Sequence, residues 1–218
     1  MTLIKAILFD MDGVLIDARE WHYQSLNKAL QLFGKAISRQ DHLDNFDGLP
    51  TRKKLEQLSN KRGLPHELHE FLNELKQKHT LYIVNEHCHP NFRHEYALSK
   101  LKSEGYKLAL CSNSIRRSVD LMMELSNLSR YFDATLSNED VTHPKPNSQI
   151  YQLAMRKLGV SADQCLIVED NDNGVKAATD AGGFLLRVQS PQDVTYDAVK
   201  SAIKNVEAHR KKKDEKDN

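Results

Sequence analysis

Short apolar runs recur along the chain, and polar clusters follow them. Leu3 to Phe9 is apolar apart from Lys5. Tyr106 to Cys111, Cys165 to Val168 and Phe184 to Val188 repeat the pattern, and Ala134 to Leu136 is a weaker copy. Continuous runs of this length read as strands buried on both faces. Between them the apolar residues take helical spacing. Val119, Met122, Met123 and Leu125 share one face, as do Ile150, Leu153, Ala154 and Leu158 ahead of Gly159. A third segment, Val175 to Ala181, closes at Gly182-Gly183. Strands alternating with helices predict an α/β class with a parallel sheet covered on both sides.

Residues 16–88 break this rhythm. Tyr23, Leu26, Leu30 and Phe33 are spaced by 3, 4 and 3 and predict a helix ending at Gly34. Leu55 and Leu58 before Gly63 mark a second helix, and Leu68, Phe71, Leu72 and Leu75 after Pro65 mark a third. Only Leu81 to Val84 reads as a strand there. The expected organisation is a core of residues 1–15 and 89–208, an all-helical insertion at 16–88, and a disordered tail at 209–218, where Arg210 to Asn218 carries no apolar residue.

Open parallel sheets bind ligands at the carboxyl ends of their strands. There the sequence places Asp10-Met11-Asp12-Gly13, Ser112-Asn113-Ser114, His143-Pro144-Lys145-Pro146 and Glu169-Asp170-Asn171-Asp172-Asn173-Gly174. Taken singly these are a turn, a helix cap and an exposed lysine. Together they crowd carboxylates onto one sheet edge, where they repel unless a cation joins them. Carboxylates and water make a hard oxygen site suited to Mg²⁺, which also binds phosphate. A lysine, a serine hydroxyl and loop amides can hold phosphate oxygens, and an aspartate can attack phosphorus.

Composition narrows the classes. The chain has 218 residues, 39% hydrophobic and 28% charged, with a formal net charge of +1. That balance gives no case for nucleic acid as a partner, and no apolar run nears the roughly 20 residues of a membrane span. The opening MTLIKAILFD is too short and acidic at its end to read as a secretory signal. Three separated cysteines, Cys88, Cys111 and Cys165, point to reduced thiols and a cytoplasmic setting.

The segments FDMDGVLID (Phe9 to Asp17), CSNS (Cys111 to Ser114), HPKPNSQIY (His143 to Tyr151) and VEDNDNGVKAATDAG (Val168 to Gly182) resemble, in order, the four motifs of the haloacid dehalogenase superfamily. The likeness is to its phosphatase and phosphomutase branch with a small helical cap, resembling phosphoglycolate phosphatases and β-phosphoglucomutases. It implies a Rossmann-like parallel-sheet core with an inserted all-helical cap domain. It also implies a Mg²⁺-dependent phosphomonoester hydrolase acting on a small phosphorylated metabolite, a sugar phosphate, as a monomer. By the same resemblance Asp10 is the nucleophile that carries an aspartyl-phosphate, and Asp12 is the general acid and base. Ser112, Asn113 and Lys145 hold the phosphoryl group. Mg²⁺ is held by Asp10, Asp170, Glu169 and the backbone carbonyl of Asp12. An acid at Asp12 argues against dehalogenase and phosphonatase relatives.

Several positions depart from the family pattern. Asn171 stands where relatives often have Ser, and Pro90-Asn91 where they have Pro-Gly. In the cap, Asp17, Arg19, His22, Arg52 and the Lys76 to Lys78 region are candidate substrate contacts. The segment Asp47 to Leu55 is similar to a substrate-facing cap element. His22 matches a proton-relay position of β-phosphoglucomutases, but Ala18 replaces their hinge Thr and Thr51 their sugar-phosphate-binding Arg, with Arg52 one place along. These exchanges favour a phosphatase over one alternative, a hexose-phosphate mutase, and the presence of Asp10, Asp12, Ser112, Lys145 and Asp170 together argues against another, a non-catalytic sugar-phosphate-binding protein. His79, His87, Cys88 and His89 lack the spacing of a zinc site and are expected to form the second cap–core linker, with one or two histidines facing the site. Asp12, beside an ionised Asp10, is expected to keep its proton to a higher pH than a free carboxyl.

Overall fold

A computed structural model describes residues 3–214. Five strands, β1 (Ala6–Phe9), β2 (Lys107–Cys111), β3 (Ala134–Leu136), β4 (Cys165–Glu169) and β5 (Phe184–Arg187), form one sheet in the order β3-β2-β1-β4-β5. Every pairing is parallel. Phe9 lies level with Leu110 and with Val168, so β1, β2 and β4 end together and their following residues meet at one edge. Side chains alternate across the sheet. Ile7, Phe9, Leu108, Leu110, Leu166 and Val168 enter one apolar cluster, while Ala6, Leu8, Ala109, Cys111, Cys165 and Ile167 enter another on the opposite face. The first face is covered by α5 (Phe92–Ser103), α6 (Arg116–Leu125) and α9 (Tyr196–Asp214), and the second by α7 (Gln149–Leu158) and α8 (Asp172–Ala181). Cys88, Cys111 and Cys165 are free and buried.

Five α-helices lie between β1 and β2; besides α5 they are α1 (Arg19–Gln31), α2 (Arg39–Asn45), α3 (Thr51–Arg62) and α4 (His69–His87). These last four enclose a third cluster built on Leu26, Leu30, Phe46, Leu55, Leu58 and Leu72. Asn27 ties the loop after α1 to the bundle, donating to the Ile37 carbonyl at 2.7 Å and accepting from its amide at 2.8 Å. The short strand expected at Leu81 to Val84 is instead part of α4, where Val84 continues the inward stripe of Leu72, Lys76 and Thr80. That stripe has a spacing of four, which a four-residue apolar window hides. Val84 and Cys88 pack into the sheet-side core rather than the helical cluster. Among the described residues no helix is long and apolar enough to cross a membrane.

The tail also differs from expectation. Helix α9 runs to Asp214, so 209–214 is helical; the remaining expected disorder, at 215–218, lies outside the described residues. Arg and Lys, which fill 210–213, are good helix formers even without an apolar stripe, and Arg210 pairs with Asp163 at 3.0 Å.

Candidate active site

The loop after β1 turns sharply on Gly13, whose φ is +88°. An added Cβ there would lie 2.1 Å from Asp170 Oδ2, so only glycine lets this loop approach the one after β4. Asp10 is thereby set beside Lys145 and the Glu169-Asp170 pair. The Lys145 ammonium donates to Asp10 Oδ1 and to Glu169 Oε1, both at 2.6 Å. Tyr151 also donates to Glu169 Oε1. Lys145, Glu169 and Asp10 are all buried. Gly174 is equally constrained, since a Cβ would fall 2.0 Å from the Glu169 carboxylate.

Burial pushes the Asp10 carboxyl well up; Lys145 opposes this, but Glu169, Asp170 and Asp12 add to it. Lys145 is held above the usual lysine range, because Asp10 and Glu169 outweigh the cost of its burial. A single ammonium thus serves several crowded carboxylates. Oxygen atoms of Asp10, Glu169 and Asp170 lie within 4.8 Å of one another. The Asp12 carbonyl accepts no hydrogen bond among the described residues. Hard oxygen donors gathered with too little positive charge fit Mg²⁺. Asp10, Glu169 and Asp170 are the carboxylates gathered closely enough to hold it, although both Glu169 oxygens are already engaged, Oε1 by Lys145 and Tyr151 and Oε2 by the Asp170 amide.

Asp12 faces the helical insertion. His22 Nε2 donates to Asp12 Oδ1 at 3.1 Å, and the Lys76 ammonium donates to His22 Nδ1 at 3.3 Å, which together fix the ring tautomer. Ser114 Oγ donates to Asp12 Oδ2 at 2.9 Å, while Ser112 Oγ stands 3.5 Å from it and accepts from the Ser114 amide. Burial raises the Asp12 pKa, but His22, Ser114 and Lys76 more than offset it and the net shift is downward. This corrects the expectation of a raised value. His22 is itself held low, mainly by burial, against the pull of Asp12.

The remaining candidates divide. Arg19 Nε pairs with Asp47 at 3.1 Å and its terminal nitrogen with Asp170 Oδ2 at 2.8 Å, bridging helical insertion and sheet edge. Asn113 braces loops: its amide donates to the carbonyls of Gly48 and Lys145, and its oxygen accepts from the Lys145 amide at 3.0 Å. Arg52 lines the same cleft but is exposed and makes no ion pair among the described residues. The cleft has a volume of about 570 Å³. Lys76 and Gln77 line it, whereas Asp17, Lys78, His79, His87 and His89 do not. His79 and His87 lie in α4 rather than in the expected linker, and none of the three histidines lines the cleft as expected; His87 stacks on Trp21 with ring centroids 6.4 Å apart. Asn171 caps α8 by accepting from the Gly174 amide, and Asn91 caps α5 by accepting from the Arg93 amide. Ser114, Tyr151, Asp47 and Lys54 belong to the site without having been singled out in sequence. Ser114 and Tyr151 sit inside the quoted motifs, and Asp47 and Lys54 inside the quoted segment Asp47 to Leu55.

A five-stranded parallel α/β sheet with two aspartates after its first strand, and a lysine and an acidic pair on the adjoining loops, defines a class of hydrolases. The chain belongs to the haloacid dehalogenase-like hydrolases, whose family pattern it matches over residues 7–188. It is 30% identical over 188 residues to pyrophosphatase PpaX of Bacillus velezensis, covering 82% of this chain and 80% of that one. It is 29% identical over 182 residues to the phosphorylated carbohydrates phosphatase of Thermotoga maritima, covering 82% of both. The fold is similar to β-phosphoglucomutase from Clostridium difficile, with a TM-score of 0.80 at 21% identity, covering 93% of this chain and 98% of that one.

Proposed function

We propose that the protein is a Mg²⁺-dependent phosphatase that cleaves a small phosphorylated metabolite of the sugar-phosphate class through a phosphoryl group carried on Asp10. The observation that carries this reading is the placement of Asp10 between a buried lysine and two further carboxylates, with a second aspartate two residues on held by donors from the insertion. Residues 16–88 act as a cap over the cleft, which the core at 1–15 and 89–208 completes.

Lys145 occupies one Asp10 oxygen, leaving the other to attack phosphorus. As the Asp10–phosphorus bond forms, the bond to the leaving oxygen breaks, and Asp12 gives that oxygen its proton. Asp12, now ionised, takes a proton from water; the water oxygen attacks phosphorus, phosphate departs and Asp10 is restored. Lys145 and the Ser112 hydroxyl stabilise the equatorial oxygens. Mg²⁺ held by Asp10, Asp170 and the Asp12 carbonyl would supply neutralising charge. A phosphoryl dianion next to Asp12 raises its pKa from the depressed value of the free enzyme. The Asp12 limb is therefore expected at higher pH in kcat, which reports the substrate complex, than in kcat/KM.

Asp10→Asn, or removal of divalent cation, is expected to abolish phosphate release from a panel of phosphorylated metabolites. Activity remaining within about tenfold of wild type, a barrier change of only about 1.4 kcal/mol, would overturn the mechanism. The His22–Asp12 hydrogen bond favours a second reading, a hexose-phosphate mutase. That reading requires isomer interconversion under a bisphosphate activator with no net phosphate release, and the same panel with product analysis separates the two.

A further inference from the structure

Arg19 stands where a helix disfavours a cation. It opens α1, whose N-cap Ala18 supplies no side-chain acceptor, and the positive end of the helix dipole lies against it. Glu20, the acid of that first turn, is taken by Arg39 at 3.1 Å. Two more distant carboxylates hold Arg19 instead, one on the helical insertion and one on the sheet edge. Its Nε pairs with Asp47 Oδ2 at 3.1 Å, and a terminal nitrogen donates to Asp170 Oδ2 at 2.8 Å. Among the described residues, the second contact is the one ion pair of an arginine or lysine that joins 16–88 to the rest of the chain.

Asp170 has no oxygen to spare. Its Oδ1 accepts from the Asn171 side chain at 2.9 Å and its Oδ2 from Arg19. Oδ2 is also the oxygen nearer the Asp10 loop, since a Gly13 Cβ would lie 2.1 Å from it and 3.4 Å from Oδ1. Arg19 is thus bound on the side of the carboxylate that faces the nucleophile loop, where oxygens of Asp10, Glu169 and Asp170 gather. A divalent cation drawn to those oxygens and a guanidinium already on one of them repel each other and contend for the same lone pairs. Only one partner of Arg19 is contested, because Asp47 stands outside that acidic cluster. A guanidinium released from Asp170 therefore keeps a counter-charge, on the insertion side.

We propose that Arg19 is a built-in competitor for the Mg²⁺ site: cation binding at Asp170 displaces its guanidinium, which stays on Asp47 and so breaks the ion pair between insertion and sheet edge. This rests on the Mg²⁺-dependent hydrolase reading above and adds a linkage to it. Loading the cation loosens the insertion at the step that makes the site competent for a phosphoryl group. By reciprocity, whatever seats the insertion on the sheet edge through Arg19 weakens the cation site by the same factor.

Calorimetric titration of the whole chain with magnesium chloride reads the competition directly. Arg19→Gln is expected to bind Mg²⁺ about five- to tenfold more tightly than wild type, because one charge-assisted contact no longer has to be broken. An arginine that only steadied Asp170 would give the opposite sign. The Arg19 side chain is 39% exposed, so its replacement leaves the apolar clusters intact. Asp47→Asn, which takes away the second partner, is expected to weaken Mg²⁺ binding, and to add nothing in Arg19→Gln/Asp47→Asn. Trp21, packed from α1 against the sheet-side core, gives a second readout. Mg²⁺ alone should shift its emission in wild type and leave it unmoved in Arg19→Gln at saturating cation. Unchanged or weaker Mg²⁺ binding in Arg19→Gln, additive shifts in the double variant, or a silent Trp21 in wild type overturns the competition. Phosphate release is scored separately. Release with an unchanged Mg²⁺ affinity in Arg19→Gln removes the competitor and keeps the hydrolase reading, and the expected affinity shifts without release do the reverse.

Discussion

At Gly13 and Gly174 the backbone stands where any side chain would strike a carboxylate, at 2.1 and 2.0 Å. Gly174→Ala is expected to push Glu169 off Lys145 and Tyr151 and to cost stability by a few kcal/mol, since it breaks a buried charged network. Thermal melts together with turnover would show both losses, and a neutral outcome would mean that the loop relaxes freely. His22 pulls the Asp12 pKa down, so His22→Asn should move the Asp12 limb of the kcat/KM profile toward higher pH; an unmoved limb would break the assignment. His42 gives a third test. It is 1% exposed, both ring nitrogens lack a partner, and burial lowers it to about 3. Between about pH 6.5 and 3 the unfolded chain binds a proton there that the folded chain refuses, so stability falls as pH drops, by up to about 1.4 kcal/mol per pH unit. His42→Phe should flatten that part of the melting-temperature profile relative to wild type. At this scale the cluster at the sheet edge was legible, because Asp10, Asp12, Ser112, Lys145 and Asp170 follow strand ends and Glu169 closes β4. Lys54 was legible only as part of the segment Asp47 to Leu55, because a lysine in a run of charged residues gives no sign of which way it points.

At the scale of elements, the five strands were readable from short apolar runs, with ends shifted by one residue at β2, β4 and β5 and with β1 starting at Ala6, three residues after the expected Leu3. Helices α2, α5 and α9 were missed for different reasons. α2 buries only His42, so it has no apolar stripe to read, whereas α5 buries His94, Ala97, Leu98 and Leu101 and α9 packs Val199, Ile203 and Val206, both at regular helical spacing that charged neighbours obscured. Capping adds a signal at two of the three; Ser38 accepts from the Asp41 amide at the start of α2, and Asn91 caps α5. Asn171 shows how one cap serves two ends. Its oxygen accepts from the Gly174 amide at 3.1 Å, and its nitrogen donates to Asp170 Oδ1 at 2.9 Å. Asn171→Ala is expected to cost about 1 kcal/mol of stability and to weaken Mg²⁺ binding through a less fixed Asp170. Metal titration followed calorimetrically would read the second effect apart from the first.

On the scale of the molecule, the helical insertion and the sheet edge meet, among the described residues, through polar contacts such as Arg19 to Asp170, His22 to Asp12 and Asn113 to the Gly48 carbonyl. The single tryptophan, Trp21, sits beside them on α1 and stacks on His87 at the end of α4. Its emission should therefore change when orthophosphate and Mg²⁺ are added together, and should not change in Arg19→Ala if that bridge transmits the movement. Helix α4 ties two cores together. It joins the helical cluster at Leu72 and the sheet-side core at Val84, and 19 residues make a beam about 28 Å long. Were that beam to swing about Val84 by about 10°, Lys76 would travel about 2 Å and Asn73, which lines the same cleft, about 3 Å. A lever held so close to its anchored end converts a large angle into a small displacement, so the cleft would change shape gently however far the outer end of the helix moved.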